Sequence, residues 1–149
     1  MLMMKTSEQI LSQLPYEKPF LFVDKIERVD EAEIAGSFYL DPKLEFYQGH
    51  FVDYPITPGV ILTEIMAQIG VASLGIYLTE NEAAAPQPFA MSEIKIDFLK
   101  PVYPDTLVTV IGKKQYFRFG KLKCFVQMFD EAGTLLCEGT IAGIKIRHT

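Results

Sequence analysis

The chain has 149 residues, 49% of them hydrophobic, and its 14 basic and 19 acidic side chains give a net charge of −5. A chain of this length can form a hydrophobic core that does not need disulfide bonds or a bound metal ion for stability. Its two cysteines and two histidines are too few for a zinc cluster. The acidic balance argues against nucleic acid as the main partner, because phosphate binding needs a positive surface. We expect one domain over residues 1-149, cytoplasmic and without metal or cofactor.

The first part of the chain predicts a short helix and two strands. The helix covers about residues 6–13 and ends before Pro15. Two partly alternating stretches of β-branched and aromatic residues, 20–28 and 32–40, predict strands that meet at a polar turn. Residues 41–58 show no hydrophobic periodicity of a helix or strand and contain three prolines, so we expect a long functional loop there.

Residues 59–78 are apolar on nearly every side and predict a buried helix. Thr57 can cap this helix, and Pro58 suits its first turn. The stretch is long enough to cross a membrane. However, Glu64 and Gln68 lie inside it, and a central acidic side chain costs about 2.5–3.5 kcal/mol on insertion. We therefore expect a core helix and no membrane span.

The rest of the chain predicts four strands separated by short turns. They cover residues 89–100, 106–117, 121–130 and 135–147, with Gly120 and residues 131–133 in the turns. Strands joined by short turns are largely antiparallel. The predicted fold class is therefore α+β, with one long central helix wrapped by a curved antiparallel β-sheet.

Three residues are candidates for chemistry. Glu64 lies early in the apolar helix, and a buried carboxylate must be paired or have its pKa raised until it can act as a general acid. Gly59 begins the same helix, where free backbone N–H groups can hold an oxyanion. His50 lies in the proline-rich loop and is the histidine outside the C-terminal tail. Each has a structural alternative: a structural or surface role for His50, an internal hydrogen bond to Gln68 or to loop amides for Glu64, and the turn after Pro58 for Gly59.

These residues lie in motifs that resemble one family, the β-hydroxyacyl-acyl-carrier-protein dehydratases (FabZ- and FabA-like) of the hot-dog fold. The resemblance runs through LPYEKPFLFVD at residues 14–24, GHFVDYPITPGV at 49–60, EIMAQ at 64–68 and FLKPVYPD at 98–105. Its most specific part is a histidine, a glycine nine residues later, and an acid fourteen residues after the histidine at the start of a buried helix.

The resemblance implies an enzyme that dehydrates 3-hydroxyacyl thioesters on acyl carrier protein to trans-2-enoyl thioesters, without a cofactor. It implies that His50 is the base, that Glu64 is the acid, and that Gln68 orients Glu64. The N–H of Gly59, beside Val60, would bind the thioester carbonyl. The implied assembly is a homodimer with shared sites, or a trimer of such dimers. Glutamate at position 64, where the isomerising branch has aspartate, points to the plain dehydratase branch.

The chain departs from the family pattern at three places. Tyr16-Glu17 stands where the family has His-Arg, Val52-Asp53 replaces Pro-Gly, and the glycine before Asp105 is missing. The catalytic positions are intact, so these departures concern substrate and pathway, and they fit a specialised branch such as one making polyene or other secondary acyl chains. Two other functions stay open: a hot-dog thioesterase in which Glu64 activates water, and a non-catalytic acyl-binding subunit of a larger complex.

Basic residues concentrate between Lys95 and Lys123. This segment carries a charge of +5, whereas the rest of the chain carries −10. The ordinary interpretation is that exposed strand lysines block edge pairing. The alternative is a docking surface for the acidic carrier protein. Its residues would be Lys95, Lys100, Arg118, Lys121 and Lys123.

Overall fold

The computed structural model describes residues 5–49, 55–79 and 88–146. A six-stranded sheet curves around one long helix, and the core lies between them. The elements in chain order are α1 (Ser7–Gln13), β1 (Lys25–Val29), β2 (Glu33–Leu40), α2 (Phe46–Gly49), α3 (Gly59–Leu78), β3 (Phe89–Phe98), β4 (Thr106–Arg118), β5 (Lys121–Phe129) and β6 (Leu135–Lys145).

The strand order in the sheet is β1-β2-β4-β5-β6-β3, and every neighbouring pair is antiparallel. This confirms the predicted α+β class with an antiparallel sheet. The first strand is shorter than predicted, because regular pairing begins at Lys25 rather than Phe20. The backbone at Phe20 and Phe22 instead bonds to the side chain of Gln68 in α3.

Helix α3 is α-helical over Gly59–Ala67, π-helical over Gln68–Ala72 and α-helical again over Ser73–Leu78. Among the described residues it is the one helix long and apolar enough to cross a membrane, with a mean hydropathy of 1.7. Of its most apolar 18-residue window, 72% is buried inside the protein. The sequence prediction of a buried core helix is therefore confirmed.

The start of α3 differs from the prediction in its capping. Pro58 is the N-cap residue, and no described side chain caps the helix. The hydroxyl of Thr57 instead shares a hydrogen bond of 2.6 Å with the hydroxyl of Tyr47. Tyr47 belongs to α2, a four-residue helix inside the segment that the sequence predicts as irregular. The predicted loop is thus partly helical, and its short helix is tied to the residue before Pro58.

Helix α3 lies very close to the sheet at one point. A Cβ atom added to Gly112 of β4 would lie 2.7 Å from the Cα atom of Gly70 in the π-helical part. A Cβ atom on Gly70 would lie 2.7 Å from Val126 Cγ1 in β5. Such distances leave no room for any larger side chain, so these two glycines set how closely the helix packs on the sheet.

Candidate active site

Glu64 lies in the second turn of α3, between two cavities. One of its carboxylate oxygens accepts a hydrogen bond of 2.9 Å from Gln68 Nε2. The side chain lines both an inner cavity of about 230 Å³ and an outer groove of about 690 Å³. Burial raises the pKa of Glu64 above its ordinary value, and the hydrogen bond from Gln68 lowers it by less. The carboxyl therefore keeps its proton to a higher pH than a free glutamate.

Gln68 is completely buried and fixes the position of Glu64. Its Oε1 accepts a hydrogen bond of 2.8 Å from the N–H of Phe22, and its Nε2 donates one of 2.9 Å to the carbonyl of Phe20. A backbone N–H can only donate and a carbonyl can only accept, so these partners determine which way the amide points. The second N–H of Nε2 is thereby directed to Glu64. The hydrogen bond that the sequence offered as a structural alternative is present.

Gly59 and Val60 begin α3 and line the outer groove with Glu64. The first N–H groups of a helix lack the acceptor four residues earlier that the later ones have, so they can bind a carbonyl oxygen of a ligand. A Cβ atom on Gly59 would lie 3.1 Å from the ring of Phe98, which covers this position. Val60 is 77% exposed. The groove is largely apolar, with backbone donors at one end and a carboxyl further along.

His50 lies outside the described residues, directly after the end of α2 at Gly49. The Val52-Asp53 departure lies in the same segment. The structure thus brings together four of the predicted site residues: Gly59, Val60, Glu64 and Gln68. In the described parts of the chain, no group of three or more His, Cys, Asp and Glu side chains is arranged to hold a metal ion.

Tyr16 is a site residue that the sequence reasoning noted as a departure but did not place in the site. It lines the inner cavity together with Phe20 and Glu64. Burial, and then the nearby charge of Glu64, raise the pKa of Tyr16 to about 12. The phenol is therefore neutral at physiological pH and adds a hydrogen-bonding group to the cavity wall. The sequence signal that could have identified Tyr16 is the departure at this position, where this chain has Tyr16-Glu17 and the family has His-Arg.

The backbone conformation of Asp105 compensates for the family glycine that is missing before it. Asp105 itself adopts φ 62°, in the left-handed region that glycine and, less often, aspartate occupy. Its N–H donates a hydrogen bond of 2.7 Å to the carbonyl of Leu40, and its carboxylate accepts one from the hydroxyl of Tyr39. The turn before β4 therefore forms without the family glycine.

The predicted docking residues fall into two groups. Arg118, Lys121 and Lys123 lie on the β4–β5 hairpin, whereas Lys95 lies on β3 and Lys100 just after it. Lys121 Nζ is 2.7 Å from Glu93 Oε2, so its charge is partly neutralised within the chain. The Arg118 guanidinium lies 4.5 Å from the centre of the Tyr116 ring. The structure also places Phe119, 99% exposed, at the tip of this hairpin.

Comparison with known proteins agrees with the motifs of this site. The family model of the FabA-like domain matches residues 14–140. The chain belongs to the FabA-like domain family. It is 35% identical over 142 residues to the 3-hydroxyacyl-[acyl-carrier-protein] dehydratase FabZ of Clostridium perfringens, a match that covers 93% of this chain and 96% of the relative. It is 33% identical over 137 residues to the enzyme of that name from Caldicellulosiruptor saccharolyticus, covering 89% and 92%.

Solved structures similar to this FabA-like chain confirm the hot-dog fold. A dehydratase heterocomplex from Xenorhabdus doucetiae superposes with a TM-score of 0.74 at 11% identity, over 92% of this chain and 91% of the other. A thioesterase from Haemophilus influenzae superposes with a TM-score of 0.71 at 17% identity, over 99% and 96%. At such low identity these likenesses establish the fold alone. The predicted family and fold are both confirmed.

Proposed function

We propose that this protein dehydrates 3-hydroxyacyl thioesters on acyl carrier protein to trans-2-enoyl thioesters, as a lyase of fatty-acid or related acyl-chain biosynthesis. The main support is Glu64, a half-buried carboxyl with a raised pKa at the junction of two cavities. The FabZ relatives, which match almost along their whole length, carry this activity in their names. A protonated acid facing a groove for a linear substrate is what loss of a β-hydroxyl requires.

The first half of the proposed reaction removes a proton from the carbon next to the thioester. That proton is weakly acidic, so its removal needs a base and a group that stabilises the charge developing on the carbonyl oxygen. We assign the base to His50, acting as neutral imidazole. The N–H of Gly59 at the start of α3 polarises the carbonyl, with Val60 beside it.

The second half expels the hydroxyl. The electron pair of the broken C–H bond forms the carbon–carbon double bond as the C–O bond breaks. Protonated Glu64 donates its proton to the leaving oxygen, so that water departs, and Gln68 holds the resulting carboxylate. His50 is then protonated and Glu64 ionised, and proton transfer through solvent restores both. All atoms are accounted for without a cofactor.

The proposal includes a partner and an assembly. The substrate arrives on acyl carrier protein, which the basic residues Lys95, Lys100, Arg118, Lys121 and Lys123 would attract. The active form would be a homodimer, or a trimer of dimers, in the cytoplasm. In the described part of the sheet β1 and β3 are the two edge strands, and we assign the pairing edge to β3 because of its exposed apolar side chains. Apolar side chains are exposed along or just after this strand: Met91, Ile94, Phe98 and Leu99.

The test is product analysis with a 3-hydroxyacyl carrier-protein substrate. Dehydration increases enoyl absorbance without releasing free thiol. A thioesterase would release thiol, and a non-catalytic subunit would bind the thioester without turnover. Either of these two results would contradict the proposal.

Two substitutions test the assigned roles. His50→Asn and Glu64→Gln should each lower dehydration by about 10²-fold or more, since a positioned acid or base typically contributes 10²–10⁴. Glu138→Gln is the matched control, because Glu138 accepts a hydrogen bond of 2.9 Å from Gln127 but lines neither cavity. Near-normal turnover by a folded His50 or Glu64 variant would remove that residue from the mechanism.

A further inference from the structure

Gln68 positions Tyr16 as well as Glu64. The carbonyl of Phe20 accepts a hydrogen bond of 2.9 Å from Gln68 Nε2. The N–H of Phe20 donates one of 2.7 Å to the carbonyl of Glu17, which closes a turn directly after Tyr16. The ring of Tyr16 packs against the hydrophobic core. The buried glutamine therefore holds the acid directly, and it holds the segment that carries the phenol through this turn.

The hydroxyl of Tyr16 is open to the inner cavity. No group of the described residues forms a hydrogen bond with it. Every fully buried polar side-chain atom in the described parts of the chain has a hydrogen-bond partner, so a hydroxyl without one must be accessible. Tyr16 and Glu64 line the inner cavity together, and the charge of Glu64 acts on the phenol. The two groups therefore face the same space.

The inner cavity is otherwise apolar. Of the described residues that line it, Tyr16 and Glu64 alone have polar side chains, and the others are apolar residues or glycine. A polar group that loses its water without gaining another hydrogen-bond partner costs free energy. A bound acyl chain removes water from this cavity. The bound molecule must therefore offer the Tyr16 hydroxyl a polar atom, or it binds less tightly.

The substrate of the proposed function has one substituent that meets this requirement. Its thioester carbonyl is assigned to the N–H of Gly59, which lines the outer groove and does not line the inner cavity. Its β-hydroxyl is assigned to Glu64, which lines both. The β-hydroxyl is therefore the substrate oxygen that lies on the side of Tyr16.

We infer that Tyr16 is a second hydrogen-bond donor to the β-hydroxyl, beside Glu64, and that it holds this group for departure. A hydroxyl oxygen has two lone pairs, so it can accept hydrogen bonds from both groups at once. Tyr16 keeps its proton throughout, and Glu64 transfers the proton that makes the leaving group water. The negative charge that develops on the oxygen as the C–O bond breaks strengthens the hydrogen bond from Tyr16. This inference rests on the proposed function for the placement of the substrate.

The experiment measures whether Tyr16→Phe, which removes only the phenol oxygen, weakens recognition of the hydroxyl. Affinity is measured for a soluble 3-hydroxyacyl thioester and for the saturated acyl thioester of the same length, in a His50→Asn background that slows turnover. Tyr16→Phe should lower the affinity for the hydroxyacyl thioester about 5-fold, as expected for one hydrogen bond. It should not lower the affinity for the saturated thioester, which offers Tyr16 no oxygen. With His50 intact, Tyr16→Phe should lower kcat/KM by about 10²-fold, because the hydrogen bond is stronger in the transition state.

Tyr39→Phe is the matched control, because the Tyr39 hydroxyl donates a hydrogen bond to Asp105 and the residue lines neither cavity. It should change neither the two affinities nor turnover. An equal loss of affinity for both thioesters in Tyr16→Phe, or an unchanged affinity for the hydroxyacyl thioester, would overturn the inference. Absence of dehydration by the wild type would instead refute the proposed function, and the two affinities would still show whether Tyr16 contacts the hydroxyl.

Discussion

Glu64 makes opposite contributions to catalysis and to stability. Burial raises the pKa of its carboxyl in the folded protein above the ordinary value of 4.5. At a pH below that ordinary value the carboxyl is protonated in both the folded and the unfolded protein, so its ionisation does not change the free energy of unfolding. As the pH rises above it, the unfolded chain ionises first, so stability is lost until the pH passes the raised pKa of the folded state. The property that suits a general acid thus weakens the fold at neutral pH.

We therefore expect Glu64→Gln to be more stable than the wild type near pH 8, and the difference in melting temperature to be smaller near pH 4. The glutamine can still accept a hydrogen bond from Gln68 through its Oε1, but it cannot ionise. Thermal unfolding of both proteins across this pH range measures the difference. Glu138→Gln, altered outside both cavities, is the control, and a stability difference for Glu64→Gln that is independent of pH would contradict this account.

Residue patterns predicted part of the site. Glu64 and Gln68 could be found because two polar residues four positions apart stand out in an apolar helix, and Gly59 because it begins that helix. Tyr16 could not be placed in the site by such a pattern. It lies far from Glu64 in the chain, and only the folded structure brings the two side chains to the wall of one cavity.

At the scale of elements, the central helix and the antiparallel strands were predictable, but the local distortions were not. The π-helical segment Gln68–Ala72 has no signal in an evenly apolar stretch. The first strand was predicted to begin five residues early because Phe20–Asp24 has the composition of a strand. The buried side chain of Gln68 provides hydrogen bonds that a neighbouring strand would otherwise provide. A tertiary interaction therefore overrides the local propensity.

The β4–β5 hairpin is the element on which the docking proposal can be tested most directly. Between its residues 113 and 123 it carries five basic side chains and no acidic one. Arg118 and Lys123 are the better positions for charge reversal, since Lys121 is already paired with Glu93. Arg118→Glu combined with Lys123→Glu should weaken turnover of carrier-linked substrate and reduce its salt dependence, because the attraction is electrostatic.

Small soluble thioesters provide the internal control for this prediction. Their turnover should stay nearly unchanged, because they do not need the hairpin. Lys43→Glu, an exposed lysine away from the hairpin, should affect neither substrate. Equal losses on both kinds of substrate would indicate damage to the fold or the site and would count against docking at this hairpin.

For the whole molecule, the sheet and helix leave apolar surface that one chain does not cover. The end strand β3 carries exposed apolar side chains, and the outer groove beside Glu64 is lined by some of the same residues, including Ile94 and Phe98. The fold class followed from the sequence because short turns join successive strands. The assembly did not follow from it, since pairing across an edge depends on the shape of the finished surface.

A shared site predicts a specific recovery of activity between two inactive chains. If His50 of one chain faces Glu64 of the other, a symmetric dimer contains two equivalent composite sites. His50→Ala and Glu64→Ala chains, unfolded and refolded together in equal amounts, should form hybrids in about half of the dimers. Each hybrid has one site with both substitutions and one with neither. Roughly a quarter of wild-type activity should return, as measured by enoyl formation per chain.

The control is the same mixture assayed without unfolding, in which intact dimers do not exchange chains and activity should stay low. Hybrid dimers must be demonstrated directly, for example by mass spectrometry with chains of different mass. Partners that lie within one chain would give no recovery at any mixing ratio, because every chain lacks one of the two groups. That result in proven hybrids would refute the shared site, and it would leave the dehydratase proposal standing, since one chain would then hold both the acid and the base.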